Sequence, residues 1–234
     1  MSDFQPPRPM TVLSVGAALA LTFAPAPVEA QTRPARFVNA ASVVPGLVTD
    51  LRYLDHDNFV GRPIDGYERS VCYLTREAAL ALAAVARDLQ PQGLALKVFD
   101  CYRPQRAVAH FVRWARDLGD TARKASHYPD VDKRHLFRDG YIAARSSHSR
   151  GSTVDLTLVR RSDGRALDMG TPFDFFGRQS WPSDRSVSGG AQANRRLLAR
   201  AMARRGFRPY AKEWWHFTLR DEPFPRTYFD FPIR

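Results

Sequence analysis

Two histidines, an aspartate and a glutamate in this chain have the residue types and spacing of a hydrolytic metal site. In RSSHSRGSTVDLTL, residues 145–158, His148 stands in a polar loop seven residues before Asp155, which lies in a stretch that alternates like a β-strand. One histidine and one aspartate do not hold a metal alone. Downstream, Glu213-Trp214-Trp215-His216-Phe217 offers a second imidazole, and two imidazoles with one carboxylate form a donor set suited to Zn²⁺. A catalytic zinc takes three protein ligands and keeps a fourth position for water. Glu213, three residues before His216, falls beside such a site without belonging to it, where a general base for that water is needed. Each fragment alone also has a plainer reading: a polar loop histidine, a solvated aspartate facing away from a strand's apolar side, a chance Glu-x-x-His. The joint pattern is stronger, because separate segments carry it and a fold can make them converge.

The elements that must position these groups are legible around them. In Thr153–Leu158, Val154, Leu156 and Leu158 fall on one face and Thr153, Asp155 and Thr157 on the other. A final strand over Trp214–Leu219 carries His216. Thr75 is a good N-cap for a helix to about Leu89, with Ala78, Leu82, Val85 and Leu89 on one side and Pro91 and Gly93 beyond its end. Leu94–Phe99 then reads as a strand. Asp100-Cys101-Tyr102-Arg103 follows, and Pro104 suits the first turn of a helix through about Leu118. Arg103 therefore sits at a strand-to-helix junction, from which a side chain can reach a cleft.

Residues 58–67 form a turn-rich loop that could border a site, and 119–144 read as loops and short helices. The Gly-, Ser-, Pro- and Asp-rich excursion 161–190 carries Phe173-Asp174-Phe175-Phe176, and a loop of that length is more often functional than idle. The run NRRLLARAMARRGFR belongs to a helix over about 191–205, stopped by Gly206, with a solvated basic face expected opposite Leu197, Leu198, Ala201 and Met202. The aromatics of the tail PFPRTYFDFPIR are expected to cover the core. No internal repeat or second domain is visible.

With 234 residues, 44% hydrophobic and 25% charged, the chain is long enough for one domain with a proper core. Residues 1–30 read as a signal peptide: Met10–Ala24 is apolar and uncharged, Pro25 and Pro27 break it, and Val28-Glu29-Ala30 ends in a small-residue cleavage pattern. A membrane anchor would need about 20 apolar residues, more than this run supplies. Export to a bacterial periplasm follows, with residues 31–36 a short exposed leader, 37–234 the folded domain, and no stable membrane association after cleavage.

The net charge of +11 raises nucleic acid as a partner. The arginines are scattered, however, without an aromatic-basic stripe or a zinc-finger or helix-turn-helix spacing, so no nucleic acid is expected. Attraction to an anionic cell wall is a milder use of the same charge. Cys72 and Cys101 leave two readings open: a disulfide worth about 3 kcal/mol in an oxidising compartment, or two separate buried thiols.

Taken together, these residues resemble the D-alanyl-D-alanine dipeptidases of the VanX type. The resemblance is carried by Ser146-Ser147-His148-Ser149-Arg150-Gly151-Ser152 with Asp155-Leu156-Thr157-Leu158, by Glu213-Trp214-Trp215-His216, by Leu219-Arg220-Asp221-Glu222-Pro223, and by Tyr228-Phe229-Asp230-Phe231-Pro232. Upstream, Asn58-Phe59 with Gly61, Gly66-Tyr67, and Asp100 with Tyr102-Arg103-Pro104 also match, so the likeness spans residue 37 to the C-terminus. It implies a single α+β domain, a small antiparallel sheet with flanking helices, in the fold shared with D,D-carboxypeptidases and the hedgehog signalling domain. It further implies one Zn²⁺ per chain on His148, Asp155 and His216, with Glu213 as catalytic base and Arg103 stabilising the oxyanion. Asp174 would pair with the substrate's ammonium group, and Tyr53, Tyr67, Ser146 and Ser147 would line the pocket.

The expected activity is hydrolysis of the dipeptide D-Ala-D-Ala in cell-wall dipeptide turnover or scavenging. Export argues against a role in glycopeptide resistance, which requires destroying the dipeptide in the cytoplasm. Two rivals remain: a murein D,D-carboxypeptidase or endopeptidase acting on longer peptides, and a metal-stabilised binding module without turnover. The Asp174 loop opposes the first. Glu213 and Arg103 oppose the second.

Overall fold

A computed structural model describes residues 1–2 and 32–234. The expected signal peptide, from its third residue on, lies outside the described residues. In chain order the elements are β1 (Phe37–Asn39), β2 (Val48–Thr49), β3 (Tyr73–Thr75), α1 (Arg76–Leu89), β4 (Leu94–Asp100), α2 (Gln105–Arg116), α3 (Lys124–His127), β5 (Thr153–Arg160), α4 (Gly189–Arg204), β6 (Phe207–Tyr210) and β7 (Glu213–Leu219). A five-stranded sheet has the order β2-β4-β5-β7-β6, and β1 and β3 form a separate antiparallel pair. This is the expected α+β domain, antiparallel except at the edge, where β2 runs parallel to β4. Among the described residues, no helix is long and apolar enough to cross a membrane.

Local chemistry accounts for the helices. The Thr75 hydroxyl accepts from Ala78 N and starts α1, whose Ala78, Leu82, Val85 and Leu89 are buried. Helix α2 ends at Arg116, two residues short of the expected end, because Asp117 leaves helical geometry just after the last buried residues, Trp114 and Ala115. Ser188 caps α4 by accepting from Ala191 N. Gly206, at φ +87, supplies the left-handed turn that leads into β6.

The sheet is buried on both sides. Leu96, Val98, Val154, Leu156 and Leu158 are at most 1% exposed, with α1 packed on β4 and α4 on β6 and β7. Thr153, Asp155 and Thr157, on the opposite face, are also buried. Alternation alone suggested a polar, solvated side. Instead, rings from the 58–67 loop, from α2 and from the 161–190 excursion gather there, with Phe59 within 5.0 Å (ring centroids) of Phe111, Trp114 and Phe176.

The basic face of α4 also departs from expectation. Arg196, Arg200 and Arg204 are exposed, but Arg195 is 3% exposed. Its guanidinium donates to the carbonyls of Met169 at 2.7 Å, Trp181 at 3.0 Å and Gln179 at 2.7 Å, so it anchors the 161–190 excursion. The five donors of an arginine in a fixed fork suit such a task.

Candidate metal centre and substrate pocket

Two irregularities in the sheet assemble the site. Between β4 and β5 the register runs Val98↔Leu156 and then Asp100↔Asp155, leaving Phe99 as the extra residue of a bulge. Without the bulge Asp100 would share a face with Val98; with it, Asp100 shares the face of Asp155. Asp155 in turn stands opposite His216. Asp100, Asp155 and His216 thus lie abreast on three neighbouring strands. In a regular strand Glu213 and His216, three residues apart, would face opposite ways. The pairing of β6 with β7 jumps from Pro209↔Phe217 to Tyr210↔Glu213, and that break lets both side chains reach one pocket.

His148 arrives from a short 3-10 turn. The Ser146 hydroxyl caps it by accepting from His148 N, and Gly151 ends it at φ +81. A side chain is excluded at Gly151, since a Cβ there would stand 2.2 Å from the Phe37 ring. The imidazole Nδ1 donates to the Cys101 carbonyl at 2.7 Å, which leaves Nε2 free and aimed inward.

Three donors meet at the centre. His148 Nε2 lies 3.3 Å from Asp155 Oδ1, His216 Nδ1 lies 3.1 Å from the same oxygen, and the two nitrogens are 3.2 Å apart. Asp155 Oδ1 is buried and accepts no hydrogen bond. The other His216 nitrogen, Nε2, meets Ser147 Oγ at 3.3 Å. Each imidazole therefore has one nitrogen anchored by the protein and one turned to a common point with an orphaned carboxylate oxygen. That arrangement fits a divalent metal. Burial holds His148 below its ordinary pKa and so favours the neutral, ligating form. Burial would also lower His216, but Asp155 and Glu213 beside it keep it raised.

The remaining groups surround this centre. Glu213 Oε2 is 3.4 Å from His216 Nδ1, and burial pushes its carboxyl up to about 7. Arg103 donates through Nε to Asp100 Oδ2 at 2.8 Å and lies 3.5 Å from Asp155, with its guanidinium 5.1 Å over the Tyr53 ring and 5.2 Å over Phe111. Asp174, 6% exposed, accepts from the Tyr53 hydroxyl at 2.7 Å. Burial raises its pKa well above the ordinary value, and the Tyr53 hydroxyl only partly offsets this. Among the described residues no cation forms an ion pair with it. Asp174 is also the one described non-glycine residue at positive φ, +58, a strained conformation of the kind that collects at functional sites.

A cavity of about 230 Å³ joins Tyr53, Arg103, Asp155, Asp174, Glu213 and His216. The residues 33–234 match the D-ala-D-ala dipeptidase family profile. The chain belongs to that family. Similar curated proteins include the D-alanyl-D-alanine dipeptidases of Enterococcus faecium, 42% identical over 82% of this chain and 95% of that one, and of Streptomyces coelicolor, 44% over 84% and 98%. The Escherichia coli protein of that name is 36% identical over 78% of this chain and 83% of its own. Among solved structures, a mutant of the vancomycin-resistance D,D-pentapeptidase VanY in complex with Zn(II) aligns over 67% of this chain and 77% of that one, at 14% identity and a TM-score of 0.38. The chain is a metallopeptidase of the dipeptidase family.

Of the site residues expected from sequence, His148, Asp155, His216, Glu213, Arg103, Asp174, Tyr53, Ser146 and Ser147 line this one cavity. Tyr67 does not. Its hydroxyl donates to Asp100 Oδ1 at 2.7 Å, behind Arg103, because Asp100 needs a second donor once the bulge has turned it inward. Cys72 and Cys101 form a disulfide, with Cα atoms 5.3 Å apart, tying the start of β3 to the end of β4. Sequence reasoning assigned no role to Asp100. Its signals were a carboxylate three residues before Arg103 at a strand end and its place in the matching segment with Tyr102-Arg103-Pro104. Tyr141, Ile142 and Tyr210 also line the pocket, from segments with no recognisable motif, and Phe176 lines it from the run that carries Asp174.

Proposed function

We propose that this protein hydrolyses D-Ala-D-Ala to two D-alanines with one Zn²⁺ held by His148, Asp155 and His216. Donors about 2.0–2.1 Å from zinc at tetrahedral angles stand roughly 3.3 Å apart, close to the separations within this triad. Zn²⁺ bound there supplies Lewis acidity to the scissile carbonyl and lowers the pKa of a water. Glu213 takes the proton of the attacking water and returns it to the leaving amine, a role suited to a carboxyl whose pKa burial has pushed toward neutrality. Arg103, held by Asp100, stabilises the carbonyl oxygen as charge grows on it.

The observation that carries the dipeptide reading is Asp174. A buried carboxylate with a single hydroxyl donor calls for a cation, and the free amino terminus of a dipeptide places one beside the scissile bond. A longer peptide has a neutral amide there and leaves the carboxylate unpaired. We further place the protein in the periplasm, on the apolar leader over residues 10–24 and on the Cys72–Cys101 bridge, which suits an oxidising compartment. There it would act on wall-derived dipeptide.

The test is D-alanine release by protein lacking residues 1–30, stripped of metal and reloaded with zinc. D-Ala-D-Ala, L-Ala-L-Ala and a tripeptide ending in D-Ala-D-Ala are compared. Zinc-dependent release from the D,D-dipeptide alone is the expected result. Turnover of the tripeptide would instead make this a murein carboxypeptidase, and zinc binding without turnover a binding module. Fractionation of cells carrying the full chain tests the location.

A further inference from the structure

The pocket holds two ionisable groups without an oppositely charged partner among the described residues. Asp174, bonded by the Tyr53 hydroxyl, has no cation there. Arg145 lines the same cavity, is exposed toward solvent, and among the described residues has neither an ion pair nor a hydrogen-bonded carboxylate. Every other charged group in the lining is already engaged. Arg103 binds Asp100 at 2.8 Å, Asp155 belongs to the metal triad, and Glu213 is the base beside it.

The two groups have different neighbours in the lining. Asp174 goes with Tyr53, which bonds it and carries the Arg103 guanidinium on its ring. Arg145 directly precedes Ser146 and Ser147, and Ser147 Oγ meets His216 Nε2. A dipeptide is a zwitterion whose ammonium and carboxylate flank one amide. If the ammonium sits at Asp174 and the carbonyl beside Arg103, the far end of the molecule lies toward the Ser147–His216 side.

We propose that Arg145 binds the C-terminal carboxylate of the dipeptide and makes the site select a free acid. This rests on the dipeptidase reading. The arginine is placed for the task by its neighbours. Its guanidinium lies 5.3 Å over the Tyr228 ring, and that ring also lies 5.7 Å from the Arg150 guanidinium, itself fixed by bonds of 2.7 and 2.8 Å to Glu222. Stacking leaves the edge of the guanidinium, with its donors, open to a bidentate carboxylate. The Ser146 cap fixes the backbone one residue on.

The experiment measures calorimetric binding of D-Ala-D-Ala and of D-Ala-D-Ala amide, which lacks the carboxylate charge. The protein is the zinc-loaded full chain carrying Glu213→Gln to prevent turnover. With Arg145 present, the acid binds more tightly than the amide. Arg145→Gln weakens binding of the acid about tenfold, the effect of one charge-assisted bond, and brings the acid-to-amide ratio toward one. Arg145→Lys restores most of that preference. Equal weakening of acid and amide would make Arg145 a merely structural residue, and unchanged acid binding would also overturn the proposal. Release of D-alanine by protein retaining Glu213 is scored separately: if it occurs while the Arg145 variants bind normally, the dipeptidase reading stands and the carboxylate assignment falls. If the acid does not bind at all, the carboxylate assignment falls, and if no D-alanine is released either, both fall.

Discussion

The pocket has two halves built in opposite ways. On the metal side, the reactive groups sit on the backbone ladder: Asp100, Asp155 and His216 abreast on β4, β5 and β7, and His148 clasped by the Cys101 carbonyl. On the side proposed to take the ammonium, Asp174 hangs on an excursion that forms no β-strand or α-helix over residues 161–188, in a left-handed conformation, and that excursion is fastened by one buried arginine of α4. The difference separates two demands. Groups that meet a metal need relative placement within a few tenths of an ångström, which hydrogen-bonded neighbouring strands provide. A group that selects a substrate needs to reach over the reacting atoms, which a strand cannot do and a supported loop can.

If the halves divide the work in this way, they respond differently to substitution. Glu213→Ala gives the largest effect. It lowers kcat by about a thousandfold or more, while zinc affinity measured by competition with a chelator changes little, because Glu213 lies outside the donor set. Loss of zinc together with activity would instead make Glu213 a ligand. Next comes Asp174→Asn, which keeps a residue type tolerated at positive φ and removes only the charge. It lowers kcat/KM for the dipeptide about a hundredfold and leaves zinc affinity intact. It also narrows the preference for D-Ala-D-Ala over its N-acetyl derivative.

The pH dependence carries a sign. Burial raises the Asp174 carboxyl, so the empty pocket holds it protonated at pH values where a free aspartate is ionised. Pairing with an ammonium needs the ionised form. KM for the dipeptide should therefore fall as pH rises through the raised pKa. In Asp174→Asn that fall disappears, and a KM profile identical in both proteins would contradict the pairing.

The same division explains what could be read from the chain beforehand. His148, Asp155, Glu213 and His216 were legible because metal chemistry restricts residue types so tightly that spacing carries information. How Glu213 and His216 share a pocket was not legible, since strand periodicity argues against it and only the register break between β6 and β7 resolves it. Phe99 likewise reads as an ordinary strand residue, although its bulge turns Asp100 inward. Arg195 was hidden among similar neighbours. In NRRLLARAMARR every arginine looks solvated, and burial depends on carbonyls 14 to 26 residues upstream. The two cysteines are close because the start of β3 lies beside the end of β4, where Tyr102 N donates to the Tyr73 carbonyl at 2.9 Å, a long-range fact that local pattern does not contain.

Arg195 is the sharpest handle on the loop half. Arg195→Met keeps an apolar stem of similar length but leaves three carbonyls without their donor, at a cost of about 2 kcal/mol in chemical unfolding. Dipeptidase activity then declines through KM, with zinc affinity retained, although residue 195 does not line the pocket. A loss of zinc in this variant would show that the two halves are one unit.

The smallest expected effect probes the metal half through the disulfide that joins it to β3. Cys101 does two things: its sulfur is bridged to Cys72, and its carbonyl holds His148 Nδ1 at 2.7 Å. Opening the bridge frees the end of β4 without touching a ligand. Double substitution Cys72→Ser, Cys101→Ser should therefore weaken zinc about tenfold, the size expected when a group that orients a ligating histidine is loosened. Discrimination between D-Ala-D-Ala and its N-acetyl derivative should persist, because Asp174 and Arg195 are untouched. If discrimination falls and zinc affinity does not, the bridge serves the substrate side and the division drawn between ladder and loop is misplaced.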